Sequence, residues 1–361
     1  MSSSYTRADP VLEISSLTKH YPLFERGLLL KRQTGVVHAV DNVTLTVNRG
    51  ETLGLVGESG SGKSTLAKCV VDLEIPTNGM IKFDGDDVLK VFRSRNKKGI
   101  LALHRQMQYI FQNPYASLDP RMTVADIIME PLMVHKHIPR DRWIPTMYEL
   151  LRMVGLEEYH AERYPHEFSG GQRQRVCIAR ALAVEPNLII ADEPVASLDV
   201  SIRAQILNLL KDIQSKLGLT YLYISHDLST VQHMCDRVAV MYLGKIVEIA
   251  DTAELFSNSL HPYTRALLSA IPIPDPRKKI ERIVLPGEVP SPIDPPSGCR
   301  FHPRCPRRID MCSQAEPRLV EVLPRHWLAC YNPWPAERPG TPSPPIVETA
   351  SSTSPNNPSS W

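Results

Sequence analysis

The feature that most constrains this chain of 361 residues is an apolar segment that runs into a glycine-rich loop and then into a helical pattern. The apolar segment is TLGLV at 52–56, and GESGSGKS at 57–64 fits the pattern G-x-x-x-x-G-K-[ST]. Glycines let the backbone wrap closely around an anion, so successive N–H groups and the helix N-terminus point at phosphate oxygens. The spacing therefore predicts a binding site for the phosphates of ATP or GTP.

Two side chains of this loop have distinct predicted roles. Lys63 places a positive charge across the β- and γ-phosphates, and Ser64 offers its hydroxyl to Mg²⁺. The predicted nucleotide contacts from this part of the chain are Gly57, Ser59, Gly60, Gly62, Lys63, Ser64 and Thr65.

A second chemical element is a pair of carboxylates at the end of a continuously apolar run, LIIADE at 188–193. Burying two acids without a cation is costly, so the pair indicates a metal or phosphate site. Asp192 suits coordination of Mg²⁺ at the strand end. Glu193 can orient and deprotonate an attacking water, which is worth roughly 10²- to 10⁴-fold in rate.

A third element, FSGGQ at 168–172, begins a second helical pattern. Ser169 suits the N-cap position, and Gly170 and Gly171 expose backbone N–H groups at the helix start. This is a second anion-binding end, with Gln172 beside it. Two such ends for one triphosphate suggest that two copies act face to face.

The order of patterns predicts the fold class. Residues 11–56 have the pattern of β structure. Strands then alternate with helices through most of the chain, which indicates an α/β fold with a mainly parallel sheet, preceded here by antiparallel strands. Residues 124–155 have apolar positions at helical spacing. The charged segment 87–105 is predicted to be an irregular, solvated loop, because no periodic face accompanies its charges.

Composition excludes several functional classes. Lys and Arg total 41 against 39 Asp and Glu, so the net charge of +2 argues against a strongly basic nucleic-acid-binding protein. No stretch reaches the ~18 apolar residues of a membrane span, and the N-terminus has no secretory pattern. We therefore expect a cytosolic chain whose membrane role, if any, comes through a partner.

The three motifs, in this order and spacing, resemble the nucleotide-binding domain of an ABC transporter over residues 11–270. The resemblance implies an ABC-type P-loop NTPase with an antiparallel β subdomain and a helical subdomain. It also implies that ATP is held between two such domains, with the phosphate loop of one facing Ser169 of the other. Phe168 stands where leucine is usual in the family, and both are apolar.

The same resemblance assigns further residues. It implies that Tyr21 stacks on adenine and that Gln112 contacts Mg²⁺ and the γ-phosphate, next to the membrane partner. Asp199 matches the loop that couples two ATP sites, and His226 matches the histidine that contacts the γ-phosphate. The predicted catalytic residues are Glu193, His226 and Gln112.

The last quarter of the chain differs in composition, since 20 of the 32 prolines follow Ala270. HPYTRALLSAIP from His261 and LPGEVPSPIDPPSGCRFHPRCP from Leu285 resemble the C-terminal extension of dipeptide and oligopeptide importer ATPases. We predict a small C-terminal domain at 271–335 and a disordered tail at 336–361. The resemblance implies a peripheral motor on the cytoplasmic face of the inner membrane. Its partners would be two permease subunits, a second, related ATPase and an extracytoplasmic binding protein, without nucleic acid.

Four cysteines of this extension follow the spacing C-x₅-C-x₆-C-x₁₇-C: Cys299, Cys305, Cys312 and Cys330. In a chain without a secretory signal, such a group indicates a metal site before it indicates disulfides. Four thiolates suit a tetrahedral Zn²⁺ or a [4Fe–4S] cluster, and free structural thiols are the third interpretation. The family resemblance favours the [4Fe–4S] cluster.

Other functions fit parts of the pattern. A soluble ABC ATPase acting on DNA or ribosomes is disfavoured by the single cassette and the near-neutral charge. A redox regulator would depend on the cysteines alone. Within the importer class, the cargo could equally be nickel, glutathione or an oligosaccharide, because the motor does not touch it.

Overall fold

The structure, a computed structural model, describes residues 9–26, 31–94, 96–271 and 282–335. The predicted tail at 336–361 lies outside these residues. The strands are β1 (Pro10–Arg26), β2 (Lys31–Asn48), β3 (Thr52–Val56), β4 (Asn78–Phe83), β5 (Asp86–Asp87), β6 (Met107–Ile110), β7 (Leu188–Asp192), β8 (Thr220–Ser225), β9 (Arg237–Tyr242), β10 (Lys245–Asp251), β11 (Val320–Leu323) and β12 (His326–Leu328). The α-helices are α1 (Lys63–Val70), α2 (Val88–Arg93), α3 (Lys97–Gln106), α4 (Pro114–Ser117), α5 (Val124–His135), α6 (Trp143–Met153), α7 (Gly170–Leu182), α8 (Val200–Leu217), α9 (Leu228–Met234), α10 (Thr252–Ser257), α11 (Pro262–Ser269) and α12 (Met311–Gln314).

Two sheets organise these elements. One is antiparallel, with the order β2-β1-β4-β5, and the other has eight strands in the order β11-β12-β10-β9-β3-β8-β7-β6. The middle of the larger sheet is parallel: β6, β7, β8, β3 and β9 all run the same way. This arrangement confirms the predicted α/β class with a separate antiparallel part.

The continuous apolar runs of the central strands are explained by burial on both faces. Along β7, Leu188 and Ile190 belong to one core, and Ile189 and Ala191 belong to the other. Strand residues alternate between the two faces of a sheet, so a strand covered on both sides carries no polar position. One core lies toward α5, α6 and α7, and the other includes α1 and the antiparallel sheet.

The prediction of an irregular loop at 87–105 is wrong, because this segment forms α2 and α3. Each helix is capped at its start: the Asp87 carboxylate accepts from the N–H of Lys90, and the Asn96 amide oxygen accepts from the N–H of Gly99. These caps satisfy backbone donors that the first turn leaves unpaired. The helical prediction for 124–155 is confirmed by α5 and α6.

The C-terminal segment adds strands to the main sheet. In β12, Trp327 and Leu328 pair antiparallel with Ile249 and Glu248 of β10, and β11 pairs with β12. The predicted boundary at residue 271 therefore lies next to α11, while the cysteine-bearing segment packs on the same sheet as the nucleotide motifs. None of the helices in the described part of the chain has the length and apolar character of a membrane span.

Candidate nucleotide site

The phosphate loop lies between the end of β3 and the start of α1, in the context that its sequence requires. Two of its glycines cannot be replaced without displacing neighbouring backbone. A Cβ at Gly57 would lie 2.1 Å from the carbonyl oxygen of Met241, and one at Gly62 would lie 2.1 Å from that of Ala39. Both residues have positive φ angles, +155° and +106°. The glycine spacing therefore follows from close backbone packing as well as from phosphate access.

Lys63 is buried at the base of this loop. Its ammonium group donates to the carbonyl oxygens of Gly57 and Glu58, at 2.9 Å each, and to the Ser61 hydroxyl at 3.3 Å. Burial lowers the pKa of Lys63 from its usual value, against the opposing effect of nearby carboxylates. A buried ammonium that is held by neutral oxygens is prepared for an anion such as a phosphate.

Asp192 ends β7 and connects the phosphate loop to the neighbouring strand. Its Oδ1 accepts from the Ser64 hydroxyl at 3.0 Å, and its Oδ2 accepts from the Tyr109 hydroxyl at 2.7 Å. Burial and the Asp192 carboxylate raise the pKa of Tyr109, so this phenol stays a donor. No local sequence motif identifies Tyr109, because its contact with Asp192 joins residues 83 positions apart.

Three predicted catalytic side chains meet at the carboxyl ends of β6, β7 and β8. Glu193 Oε2 accepts from Gln112 Nε2 at 2.8 Å, and Glu193 Oε1 lies 2.9 Å from His226 Nδ1. The three strands are parallel neighbours, so the residues that follow them share one edge of the sheet. The topology alone therefore brings together residues up to 114 positions apart, from Gln112 to His226.

Glu193 has a left-handed backbone, with φ at +48°. Such a conformation costs a non-glycine residue on the order of 1–3 kcal/mol and is retained where surrounding structure enforces it. Here the Glu193 N–H donates to the Ile224 carbonyl oxygen of β8 at 2.9 Å, which fixes the turn. The carboxylate is thereby directed toward Gln112 and His226.

The phosphate loop and the three residues at the strand ends line one cleft of about 630 Å³. Its polar lining includes the phosphate loop, Gln112, Glu193 and His226. Its apolar lining comes from Val37 and Ala39 of β2, Leu228, Leu267 and Pro292. The cleft combines a phosphate-binding end with an apolar wall, which suits a nucleotide.

Comparison with known proteins agrees with this geometry. Residues 40–196 match the family model described as ABC transporter, and residues 247–312 match the model described as Oligopeptide/dipeptide transporter, C-terminal region. The oligopeptide transport ATP-binding protein AppF of Bacillus subtilis is 48% identical over 325 residues, which cover 90% of this chain and 97% of AppF. The chain belongs to the ABC transporter ATP-binding proteins.

Solved structures of ABC cassettes share the fold. The dimeric ATP-binding cassette MJ0796, in a post-hydrolysis state with ADP and Pi, has a TM-score of 0.58 at 28% identity and covers 67% of this chain and 98% of its own. CbiO1 of Clostridium perfringens, part of an ABC transporter complex, has a TM-score of 0.57 at 29% identity and covers 69% of this chain and 91% of its own. The nucleotide motifs of this chain thus lie in an ABC ATPase fold.

Tyr21, expected to stack on adenine in an ABC cassette, is not among the residues that line the cleft. It pairs with Val37, which does line the cleft, across the β1–β2 ladder. Its ring lies 4.5 Å from Lys19 Nζ, and its hydroxyl interacts with Glu74 and Thr65. Burial and Glu74 raise the pKa of Tyr21 to about 12.

The ABC signature lies apart from this cleft, since none of the residues 168–172 lines it. Ser169 caps α7: its hydroxyl accepts from the Gln172 N–H, while the Gln172 side chain accepts from the Ser169 N–H. A Cβ at Gly171 would lie 2.3 Å from Ile202 Cγ2, so α7 packs directly on the start of α8. Asp199 caps α8 through the Ile202 N–H. The predicted contacts of Ser169, Gly170, Gly171, Gln172 and Asp199 with nucleotide are not made within this cleft.

The four cysteines of the C-terminal segment are free thiols that lie near one another. The Cys299 N–H donates to the Cys312 carbonyl oxygen at 2.8 Å, and Cys330 interacts electrostatically with the other three. Burial raises the pKa of Cys299 to about 12 and raises the pKa of Cys305 and of Cys330. No three of these sulfurs lie within 4.8 Å of one another. Zn–S bonds of about 2.3 Å would require sulfurs about 3.8 Å apart, so the arrangement is wider than a zinc site.

A different group of ligand atoms does lie within 4.8 Å: His20, His38 and Asp41. No sequence motif marks this group. Arg300 and Lys245 both contact the Asp41 carboxylate, and they hold the pKa of that carboxyl below its usual value. Two cations beside the one acid disfavour a third positive charge, so this trio is explained as part of the contact between β1, β2 and the C-terminal segment.

Proposed function

We propose that this protein is the ATP-hydrolysing motor subunit of an ABC importer for dipeptides or oligopeptides. The observation that carries the proposal is the Glu193 carboxylate, held between Gln112 and His226 at the edge of the cleft that contains Lys63. A carboxylate in this position can orient a water toward the terminal phosphate of ATP. AppF, named for oligopeptide transport, aligns over almost its whole length and supports the choice of cargo.

The residues of the site suit MgATP. Ser64 and Asp192 already share a hydrogen bond of 3.0 Å, and their oxygens are the type of ligand that Mg²⁺ prefers. Together with Gln112, they would hold the ion, which when bound neutralises charge on the β- and γ-phosphates. Lys63, held by carbonyl oxygens of the loop, places its positive charge against the phosphate oxygens. Glu193 accepts the proton of the attacking water, and His226 contacts the γ-phosphate.

The working unit contains two cassettes. The signature residues Ser169, Gly170, Gly171 and Gln172, together with Asp199, complete the nucleotide site of a facing cassette, and Tyr21 lies beside the adenine. Ser169 sits at a capped helix start, where backbone N–H groups favour an anion. The dimeric state of MJ0796 with ADP and Pi supports this arrangement. The partner here is a second, related ATPase.

Electrostatic contact among the four thiols, no three of whose sulfurs lie within 4.8 Å of one another, is compatible with an iron–sulfur cluster, the group that the family resemblance favours. Cys299, Cys305, Cys312 and Cys330 would hold a [4Fe–4S] cluster, whose irons offset the charge of the thiolates. An anaerobic preparation should contain four irons per chain, and Cys330→Ser should lose them. A colourless, iron-free anaerobic protein would refute this assignment.

The complete importer places this motor on the cytoplasmic face of the inner membrane, against two permease subunits that receive peptide from an extracytoplasmic binding protein. Nucleic acid has no part in the assembly. The test is reconstitution with the permeases in liposomes: labelled dipeptide or oligopeptide uptake should require ATP on the motor side. Uptake of nickel, glutathione or oligosaccharide instead would show that the cargo is not a peptide. Association with DNA or ribosomes without permeases would refute the proposed importer function.

A further inference from the structure

Each polar group of Glu58, the second residue of the phosphate loop, contacts the side chain of another residue. Its N–H donates to the Tyr263 hydroxyl at 2.9 Å, and its carbonyl oxygen accepts from Lys63 Nζ at 2.9 Å. Its carboxylate accepts from Arg304 Nη1 at 2.9 Å and from Arg304 Nη2 at 3.4 Å. The loop is therefore fixed at its beginning before any nucleotide contact is made.

Two of these partners come from the C-terminal part of the chain. Tyr263 is in α11 and Arg304 directly precedes Cys305, at separations of 205 and 246 residues from Glu58. Both lie within residues 247–312, the segment that matches the oligopeptide/dipeptide C-terminal model, and outside residues 40–196, which match the ABC model. A cassette that ends before this segment has no means of making these contacts.

The two partners are themselves rigidly placed. The Tyr263 side chain is fully buried and Arg304 is 8% exposed. The rings of Tyr242, Tyr263 and Phe301 pack against one another with centroids 4.7–5.4 Å apart. Aromatic packing at these distances restricts side-chain motion.

The start of α11 is also anchored to the main sheet. The buried Glu248 carboxylate of β10 accepts from the N–H groups of Leu260 and His261, at 2.7 Å and 3.2 Å. The same carboxylate contacts His326 Nε2 at 2.8 Å. Because β10 belongs to the sheet that carries β3, Tyr263 and the phosphate loop are fixed to one framework.

We propose that Tyr263 and Arg304 are positioning residues for the phosphate loop, acting through Glu58 on the affinity for MgATP and MgADP. They set the orientation of the Glu58 peptide, and with it the carbonyl oxygens of Gly57 and Glu58 that hold Lys63 in place. Loss of either contact frees the loop. Part of the binding energy of the nucleotide is then used to order the loop, and the affinity falls. The chemical step, which depends on Glu193, is unaffected.

The same contacts link the cysteine segment to the nucleotide. Arg304 is adjacent to Cys305, so a change in the conformation of 299–305 moves the group that holds the Glu58 carboxylate. By thermodynamic reciprocity, nucleotide binding must stabilise this segment as much as the segment stabilises nucleotide binding. Backbone hydrogen exchange in 300–305 should therefore slow when MgADP binds, and this slowing should disappear in Arg304→Gln.

The test uses the full-length chain and a fluorescent ATP analogue with Mg²⁺, followed by ATPase kinetics in the assembled complex. Tyr263→Phe and Arg304→Gln should each raise the Kd about three- to tenfold, the range expected for one buried hydrogen bond. The KM for ATP should rise in parallel while kcat stays within about twofold. Arg304→Lys, which keeps the charge, should recover part of the affinity.

A double-variant cycle isolates the contact. The double variant Glu58→Gln with Arg304→Gln should bind nucleotide no more weakly than the weaker-binding single variant. If the two residues acted independently, their losses of affinity would multiply. The matched controls are Arg308→Gln, an exposed arginine of the same segment, and Tyr159→Phe, an exposed tyrosine. Both should bind nucleotide as the wild type does.

Wild-type affinity in Tyr263→Phe and Arg304→Gln, even with a lowered Tm, would overturn the proposal, since it would leave these residues a purely structural role. Losses of affinity that multiply in the double variant would also overturn the proposal. Should Arg304→Gln fail to fold, Tyr263→Phe and Glu58→Gln decide the question. Lys63→Ala separates this result from the proposed function: if that variant keeps its affinity, the nucleotide does not bind at the loop.

Discussion

His226 Nδ1 lies 2.9 Å from Glu193 Oε1, although the two residues follow different strands of the central sheet. The contact fixes one oxygen of the carboxylate, while Gln112 holds the other. Glu193 therefore has a defined orientation at the cleft before nucleotide arrives. A base that is already oriented avoids part of the cost of arranging itself for reaction.

Replacing His226 should slow hydrolysis much more than it weakens nucleotide binding. We expect His226→Ala to reduce kcat about 10- to 100-fold, because both the Glu193 orientation and a γ-phosphate contact are lost. Phosphate release in the assembled complex measures kcat, and equilibrium titration measures Kd. His233→Ala, an exposed histidine on α9, is the control. Turnover at the wild-type rate in His226→Ala would show that His226 has no role in hydrolysis.

Tyr109→Phe tests the support of Asp192. The variant loses the 2.7 Å hydrogen bond to Oδ2, so Asp192 is oriented by Ser64 alone. We expect the affinity for ATP to fall roughly threefold to tenfold with Mg²⁺ present, which corresponds to about 0.6–1.4 kcal/mol, and to change little without it, because Asp192 acts through the ion. Tyr115→Phe, at an exposed position, is the control. An equal loss with and without Mg²⁺ would contradict the role of Asp192 at the metal.

Two glycines of the phosphate loop should differ sharply in tolerance of alanine. Gly60 has a φ of +78° but open space around its Cβ position, so Gly60→Ala should cost about 1 kcal/mol of stability. Gly62→Ala adds a 2.1 Å contact with the Ala39 carbonyl oxygen and should cost several times more, or prevent folding. Denaturant unfolding measures both. Equal stabilities of the two variants would contradict the close approach of the Ala39 carbonyl oxygen to Gly62.

His261 makes stability depend on pH. Burial lowers the pKa of His261 to about 4, and Glu248 opposes this shift. Above about pH 6.5 the imidazole is neutral in both folded and unfolded chains. Between about pH 6.5 and 4 the unfolded chain binds a proton that the folded chain excludes, so stability falls as the pH is lowered; below about 4 both forms are protonated and the loss is complete.

From pH 7 to pH 5 this group should remove about 2 kcal/mol of unfolding free energy. His261→Asn keeps a side-chain acceptor for the Tyr263 N–H at the start of α11 and removes the titration. Unfolding of both proteins at the two pH values gives the difference. An identical pH dependence of stability in wild type and His261→Asn would show that a group other than His261 binds the proton.

The sequence predicted those parts of the site whose signal is local. The phosphate loop, the capped start of α7 at Ser169 and the apolar run into Asp192 each specify their own conformation within a few residues. The helices α2 and α3 were missed because their caps, Asp87 and Asn96, stand in a charged segment without a strong apolar period.

Contacts between distant segments could not be predicted in the same way. Tyr109 meets Asp192 across 83 residues, and Arg304 meets Glu58 across 246 residues. Nothing in the local pattern of an arginine beside a cysteine indicates a phosphate loop as its partner. The pairing of β12 with β10 likewise depends on tertiary structure, because strands as short as three residues carry almost no signal.

The most direct test of the central claim compares Glu193→Gln with wild type in the reconstituted importer, with Glu162→Gln, an exposed glutamate, as control. We predict that Glu193→Gln binds MgATP as tightly as wild type yet releases phosphate at least about 100-fold more slowly and accumulates no peptide. Phosphate release and peptide uptake at the wild-type rate in Glu193→Gln would contradict it.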